Sequence, residues 1–131
     1  MALVLLIDDD AAVRRVVRIR FERHGHEIVE AESAFAALQL LEHEPHPDAV
    51  VCDIVMPGMT GIEFYRHLVE RVPRLHRRVV FLTAVNRDPQ VHRDVEQLGV
   101  PLLSKLDDLQ LVVDAVRVAL LRPLDPETTS A

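Results

Sequence analysis

The chain has 131 residues, a length that suits one compact domain and argues against a two-domain enzyme. Hydrophobic residues make up 49% and charged residues 27%, enough apolar mass for a core and too much for intrinsic disorder. A formal charge of -6 repels phosphate backbones and anionic headgroups, so neither nucleic acid nor membrane is an expected partner of this domain.

One cysteine, Cys52, cannot form an internal disulfide, which fits a reducing, cytoplasmic setting. Leu3 to Ile7 is an apolar run too short to span a membrane and reads as a buried first strand. Val13, Val16, Val17 and Phe21 then recur at helical spacing, and Gly25 closes that helix. His26 to Ala31 alternates weakly, as an edge-ward second strand does. Phe35, Leu38 and Leu41 form the stripe of a second helix, which the Pro45-His46-Pro47 segment ends. Ala49 to Cys52 is strand three.

Thr60-Gly61-Ile62-Glu63 has capping-box spacing and opens a third helix that runs to about Arg71. Val79 to Leu82 is strand four. Asp88 and Pro89 read as the N-cap and first residue of a fourth helix that Gly99 closes after Leu98. Val100 to Leu103 is strand five, and Asp107 opens a last helix that buries Leu109, Val112, Val113, Val116 and Leu120. The pattern predicts a doubly wound (βα)5 α/β domain over residues 1–121, with a five-stranded parallel sheet, and a tail or linker over 122–131.

In an open parallel sheet, ligands gather at the carboxyl ends of the strands. Those ends are polar here: Asp8, Asp9 and Asp10 after strand one, Asp53 after strand three, Thr83 after strand four, and Ser104 and Lys105 after strand five. A dinucleotide fold would place glycines after strand one to cradle a pyrophosphate; aspartates stand there instead, which excludes unaided phosphate binding. Clustered carboxylates repel one another unless a hard divalent cation neutralises them, so the pocket is expected to hold Mg²⁺. With the charge spread over that cation, a hydroxyl and an ammonium, a free carboxylate can attack a phosphoryl group. Aspartyl phosphorylation is the chemistry these residues suggest.

The chain resembles a response-regulator receiver domain of two-component signalling over roughly residues 3–121. The resemblance rests on Leu5-Leu6-Ile7-Asp8-Asp9, on the run from Cys52-Asp53 through Met56-Pro57-Gly58 to Thr60-Gly61, on Phe81-Leu82-Thr83-Ala84, and on Lys105. It implies a flavodoxin-like receiver fold and a switch rather than a turnover enzyme, one that assists its own phosphotransfer and dephosphorylation. It implies Asp53 as phosphoacceptor and Asp8 and Asp9 as the metal-binding acidic pair, with Asp9, Asp53 and the Val55 carbonyl on a Mg²⁺ ion. Thr83 and Lys105 would hold the phosphoryl oxygens and report the modification. The donor would be a histidine kinase or histidine phosphotransfer protein.

Two departures from the family pattern fall on the readout side. Leu106 follows Lys105 where proline in a cis peptide is usual, and a non-proline cis bond costs ~2.5–4 kcal/mol, so a trans bond and a rearranged loop are expected. Leu102 stands where an aromatic residue is usual, and the stretch from Gly99 to Lys105 looks about one residue short. Apolar Val55 and Val85 flank the phosphoryl position, which predicts slow loss of phosphate. Leu111, Val118 and Leu121 lie off the main stripe of the last helix, where they could serve a protein partner or a homodimer.

Other features have plainer readings. Asp10 reads as an N-cap. His24, His26, His43, His46, His67, His76 and His92 read as surface residues without zinc-site spacing. Arg14, Arg15, Arg18, Arg20 and Arg23 read as a solvated basic face, part of which could meet an acidic surface on the phosphodonor. Cys52 reads as a small hydrophobe. Two rival functions remain at this point: an aspartate-based phosphohydrolase using the Asp8-x-Asp10 pair, and a receiver-like binding module without regulated phosphorylation.

Overall fold

The computed structural model describes residues 2–84 and 88–122. The expectations for Val85 and for positions 123–131 lie outside the described residues. Strands β1 (Leu3–Ile7), β2 (Glu27–Ala31), β3 (Ala49–Asp53), β4 (Val79–Thr83) and β5 (Leu102–Ser104) alternate with helices α1 (Ala11–Arg23), α2 (Ala34–Leu40), α3 (Gly61–Arg71), α4 (Pro89–Leu98) and α5 (Leu109–Leu121). The strands form one parallel sheet in the order β2-β1-β3-β4-β5. The chain order reverses between β1 and β3, and this switch point opens a crevice at their carboxyl ends.

Strand periodicity divides the core into two layers. Leu5, Ile7, Val50, Cys52, Val79 and Phe81 face α2, α3 and α4. Val4, Leu6, Ala49, Val51, Val80 and Leu82 face α1 and α5. Coverage of both faces explains why the central strands are apolar throughout, with every residue of β3 and β4 buried, the last of each being a polar one. Caps set the helix ends as their sequences require: Asp10, Ser33, Asp88 and Asp108 each accept backbone amides, and Thr60 with Glu63 forms a complete capping box.

Several expectations need correction. Val16 is 53% exposed, because it lies about 100° around α1 from Val17, while Val17 and Phe21 carry the burial. Phe35 is 59% exposed, since the buried stripe of α2 is Ala34, Ala37, Leu38 and, just past its end, Leu41. Helix α2 stops at Leu40, well before Pro45. Asp107 does not cap α5; its carboxylate accepts the Ser104 amide, and Asp108 is the cap. His26 is no surface residue: it is partly buried against Phe21, its Nδ1 lacks a hydrogen bond, and burial lowers its pKa. The cis peptide among the described residues joins Glu44 and Pro45, so Lys105–Leu106 is trans as expected.

Candidate functional site

Where β1 ends, Asp8 is fully buried, its N–H bonded to the Ala31 carbonyl at 3.2 Å. Its Oδ1 accepts the Asp10 amide at 2.9 Å, and Asp10 turns its own carboxylate to the Ala12 and Val13 amides at 2.9 and 3.3 Å. The spacing therefore starts α1 and faces Asp8 and Asp9 into the crevice, while Asp10 is committed to the helix. Next door, Asp53 is 3% exposed at the end of β3, and its Oδ1 accepts the Val55 amide at 3.3 Å. Oxygens of Asp8, Asp9 and Asp53 lie within 4.8 Å of one another.

Lys105 closes this group from β5. Its Nζ stands 2.7 Å from Asp8 Oδ2 and 3.0 Å from Asp53 Oδ2. Both contacts are close ion pairs, so the ammonium is shared between the two buried carboxylates. Burial raises the Asp53 carboxyl above its ordinary range; the Lys105 hydrogen bond opposes this and the neighbouring Asp8 charge adds to it. For Lys105, burial acts downward, but hydrogen bonds to Asp8 and Asp53 outweigh it and the ammonium is held on. One ammonium among three carboxylates leaves an excess of negative charge. A hard divalent cation with oxygen ligands suits this donor set of three clustered carboxylates.

Thr83 reaches the same edge differently. It is buried, and its carbonyl accepts the Lys105 amide at 2.9 Å, which ties the ends of β4 and β5 together. By strand alternation it follows Val79 and Phe81 on the α2–α3–α4 face, whereas Asp53 follows Ala49 and Val51 on the α1–α5 face. The carboxylates and Lys105 are thus gathered, while Thr83 stands one residue beyond Leu82, the partner of Asp53 in the β3–β4 register. Val55 is 70% exposed at the rim. Leu106 is 88% exposed beyond Lys105, its amide bonded to Ser104 Oγ at 3.1 Å.

Three contributors were not singled out by sequence reasoning. Gly61 lets α3 start directly against β3: a Cβ there would lie 2.3 Å from the Asp53 carbonyl oxygen. Phe35 lies over Gly58, whose φ is +80°, with Cε2 3.4 Å from where a Cβ would be. Arg14, read as part of a solvated face, donates Nη1 to the Asp8 carbonyl at 2.6 Å and Nε to Glu30 at 3.0 Å. The motif glycines were the available signal for the first two; nothing in the spacing marked Arg14. Cys52 is buried as expected, with its thiol pushed well up by burial.

A doubly wound sheet that gathers three carboxylates and a lysine at its carboxyl edge defines a class of α/β domains with an acidic crevice at the strand ends. Within it, the family described as the response regulator receiver domain matches residues 4–117, and the chain belongs to that family. It is 34% identical over 137 aligned positions to the transcriptional regulatory protein AfsQ1 of Streptomyces coelicolor, covering 100% of this chain and 56% of AfsQ1. It is 32% identical to the response regulator receiver protein CpdR of Brucella abortus, covering 91% of this chain and 99% of CpdR. A solved putative response regulator from Chloroflexus aurantiacus superposes with a TM-score of 0.80 at 26% identity, covering 92% of this chain and 98% of that one. The chain spans about half the length of AfsQ1 and 40% of the PhoB regulators it also matches. Among the described residues no helix is long and apolar enough to cross a membrane.

Proposed function

We propose that this receiver domain takes a phosphoryl group onto Asp53 from the phosphohistidine of a histidine kinase or histidine phosphotransfer protein, in the cytoplasm, and then alters partner binding. The observation that carries the reading is the junction of Asp8, Asp9 and Asp53 within 4.8 Å, closed by Lys105. Asp8, Asp9, Asp53 and the Val55 carbonyl would hold Mg²⁺. When bound, the cation offsets the charge of the transferring oxygens and of the acids around them. A carboxylate oxygen of Asp53 attacks phosphorus, the P–N bond to the donor imidazole breaks with its electron pair returning to nitrogen, and an acyl phosphate forms on Asp53. The Val55 amide and Lys105 orient the acceptor, one on each oxygen. Lys105 also supplies positive charge for the product.

Thr83 would then act in readout. Drawing its hydroxyl toward the new dianion would shift the end of β4, and Lys105 would share that displacement through its amide on the Thr83 carbonyl. Leu111, Val118 and Leu121 are 49%, 50% and 75% exposed, and this face of α5 beside β5 would meet a downstream protein or a second copy. The phosphohydrolase alternative loses support because Asp10, its second carboxylate, is engaged in capping α1.

The test is mass-resolved phosphotransfer to wild type and Asp53→Ala, with and without Mg²⁺. The expected result is one phosphoryl group on wild type with Mg²⁺ and background labelling otherwise. Equal labelling of the variant would refute the assignment. Full labelling with unchanged partner affinity would instead support a binding module that does not use the modification.

A further inference from the structure

Arg14 is partly buried, with its side chain 15% exposed, in the first turns of a helix whose next residue, Arg15, is exposed. Its guanidinium bridges two elements: Nε pairs with Glu30 of β2 at 3.0 Å, and Nη1 donates to the Asp8 backbone carbonyl at 2.6 Å. Glu30 is itself fixed by a second cation, Arg18 Nη1, at 2.7 Å. The peptide that joins Asp8 to Asp9 is therefore gripped through its carbonyl, while the Asp8 N–H is held by Ala31. With that peptide plane fixed, the direction in which Asp9 leaves the strand is fixed as well, and so is the turn that brings the Asp10 amide onto Asp8 Oδ1.

We infer that Arg14, braced by Glu30, is a positioning residue that sets the Asp8–Asp9 carboxylate pair for the divalent cation; the inference rests on the metal assignment proposed above. A guanidinium serves this role because its planar fork reaches a carboxylate and a carbonyl in fixed directions, which an ammonium cannot reproduce. Arg14 touches no reacting atom, and its influence runs through the backbone. Groups that orient metal ligands in this way change affinity by about 10–100-fold when removed.

Charge and positioning predict opposite signs. Deleting a cation beside an acidic site strengthens Mg²⁺ binding if electrostatics alone governs it, whereas loss of the grip weakens it. Arg14→Met is compared with Arg15→Met, which removes the same charge without touching the Asp8 carbonyl, and with Arg14→Lys. Because Arg18 stays on Glu30, Arg14→Met leaves no carboxylate stranded there. Magnesium affinity is measured by calorimetry, and the exchange of the Asp9 and Asp10 amides by NMR in metal-free protein. The expected result is about tenfold weaker Mg²⁺ binding for Arg14→Met, an intermediate loss for Arg14→Lys, wild-type or tighter binding for Arg15→Met, and faster exchange of the Asp10 amide in Arg14→Met alone. Equal or tighter Mg²⁺ binding by folded Arg14→Met overturns the inference, as does unaltered amide exchange. A wild type that fails to bind Mg²⁺ overturns the metal assignment and this role with it, while the exchange data still report whether the grip exists.

Discussion

The two halves of the sheet's carboxyl edge are built differently. On the β1–β3 side the strands have five residues each, the polar termini are buried, and each carboxylate of Asp8 and Asp53 has a fixed backbone donor. On the β5 side the strand has three residues, all only partly buried, and ends in a turn whose Leu106 is almost wholly exposed. Lys105 joins the two halves, with its ammonium among the acids and its amide on Thr83. The contrast teaches that the acceptor side is held by burial and backbone hydrogen bonds, so substitutions there alter chemistry or folding. Substitutions on the β5 side are expected to alter readout instead.

The largest stability loss that would sharpen this contrast is expected at Gly61. Gly61→Ala drives a Cβ onto the Asp53 carbonyl and the Ile54 backbone, which helix α3 cannot relieve without leaving β3. A loss of about 3 kcal/mol, read by urea unfolding, follows from overpacking of this kind. Lys105→Met is expected to cost a similar amount, about 3 kcal/mol in metal-free protein, because two buried carboxylates then face each other unpaired. Added Mg²⁺ should restore much of that loss. A Lys105→Met protein as stable as wild type in EDTA would break the link between the two halves.

Smaller and opposite in sign is Asp53→Asn. The Asp53 carboxyl is raised by burial, so protonation favours the fold: its contribution is complete below its ordinary value of 3.8 and is lost as pH rises through the folded value. At neutral pH the metal-free protein therefore carries an unfavourable charge, and Asp53→Asn is expected to raise Tm by a few degrees, an effect that fades on acidification. Lys105 still has Asp8 to pair with in that variant. At alkaline pH the sign reverses for the ammonium: its raised pKa stabilises the fold fully below 10.5 and ceases to do so as pH climbs through the folded value.

At the small end, Leu106→Ser should leave stability within ~0.5 kcal/mol, since the side chain is 88% exposed, while shifting affinity for a downstream partner. Val55→Asn, at a position 70% exposed on the rim, should shorten the lifetime of the acyl phosphate by admitting water, as decay of labelled protein would show. An unchanged lifetime would remove the proposed shielding.

Much of this architecture was legible in the chain because its signals are local. Apolar runs bounded by aspartate define strands, and Thr60 with Glu63 or Asp88 with Pro89 announce helix starts in two to four residues. The acid cluster was legible only because three short motifs lie at strand ends that the topology brings together. What escaped was decided by packing at a distance. Val16 and Phe35 obey helical spacing yet face solvent, because Val17 and Phe21 in α1 and the smaller Ala34 and Ala37 in α2 supply the contact with the sheet. Two adjacent aspartates, Asp107 and Asp108, offer equal caps, and the loop's bond to Ser104 settles which one serves. Arg14 looked like its solvated neighbours, since its partner Glu30 lies 16 residues away on another element.

Locating the modified atom tests the central claim most directly. Protein treated with acetyl phosphate and Mg²⁺ is reduced with borohydride, which converts an aspartyl phosphate to homoserine, and its peptides are mapped by mass. Homoserine at position 53, formed only with Mg²⁺ present, is the expected result. Conversion at Asp8 or Asp9, or at Asp53 to the same extent without the cation, would contradict it.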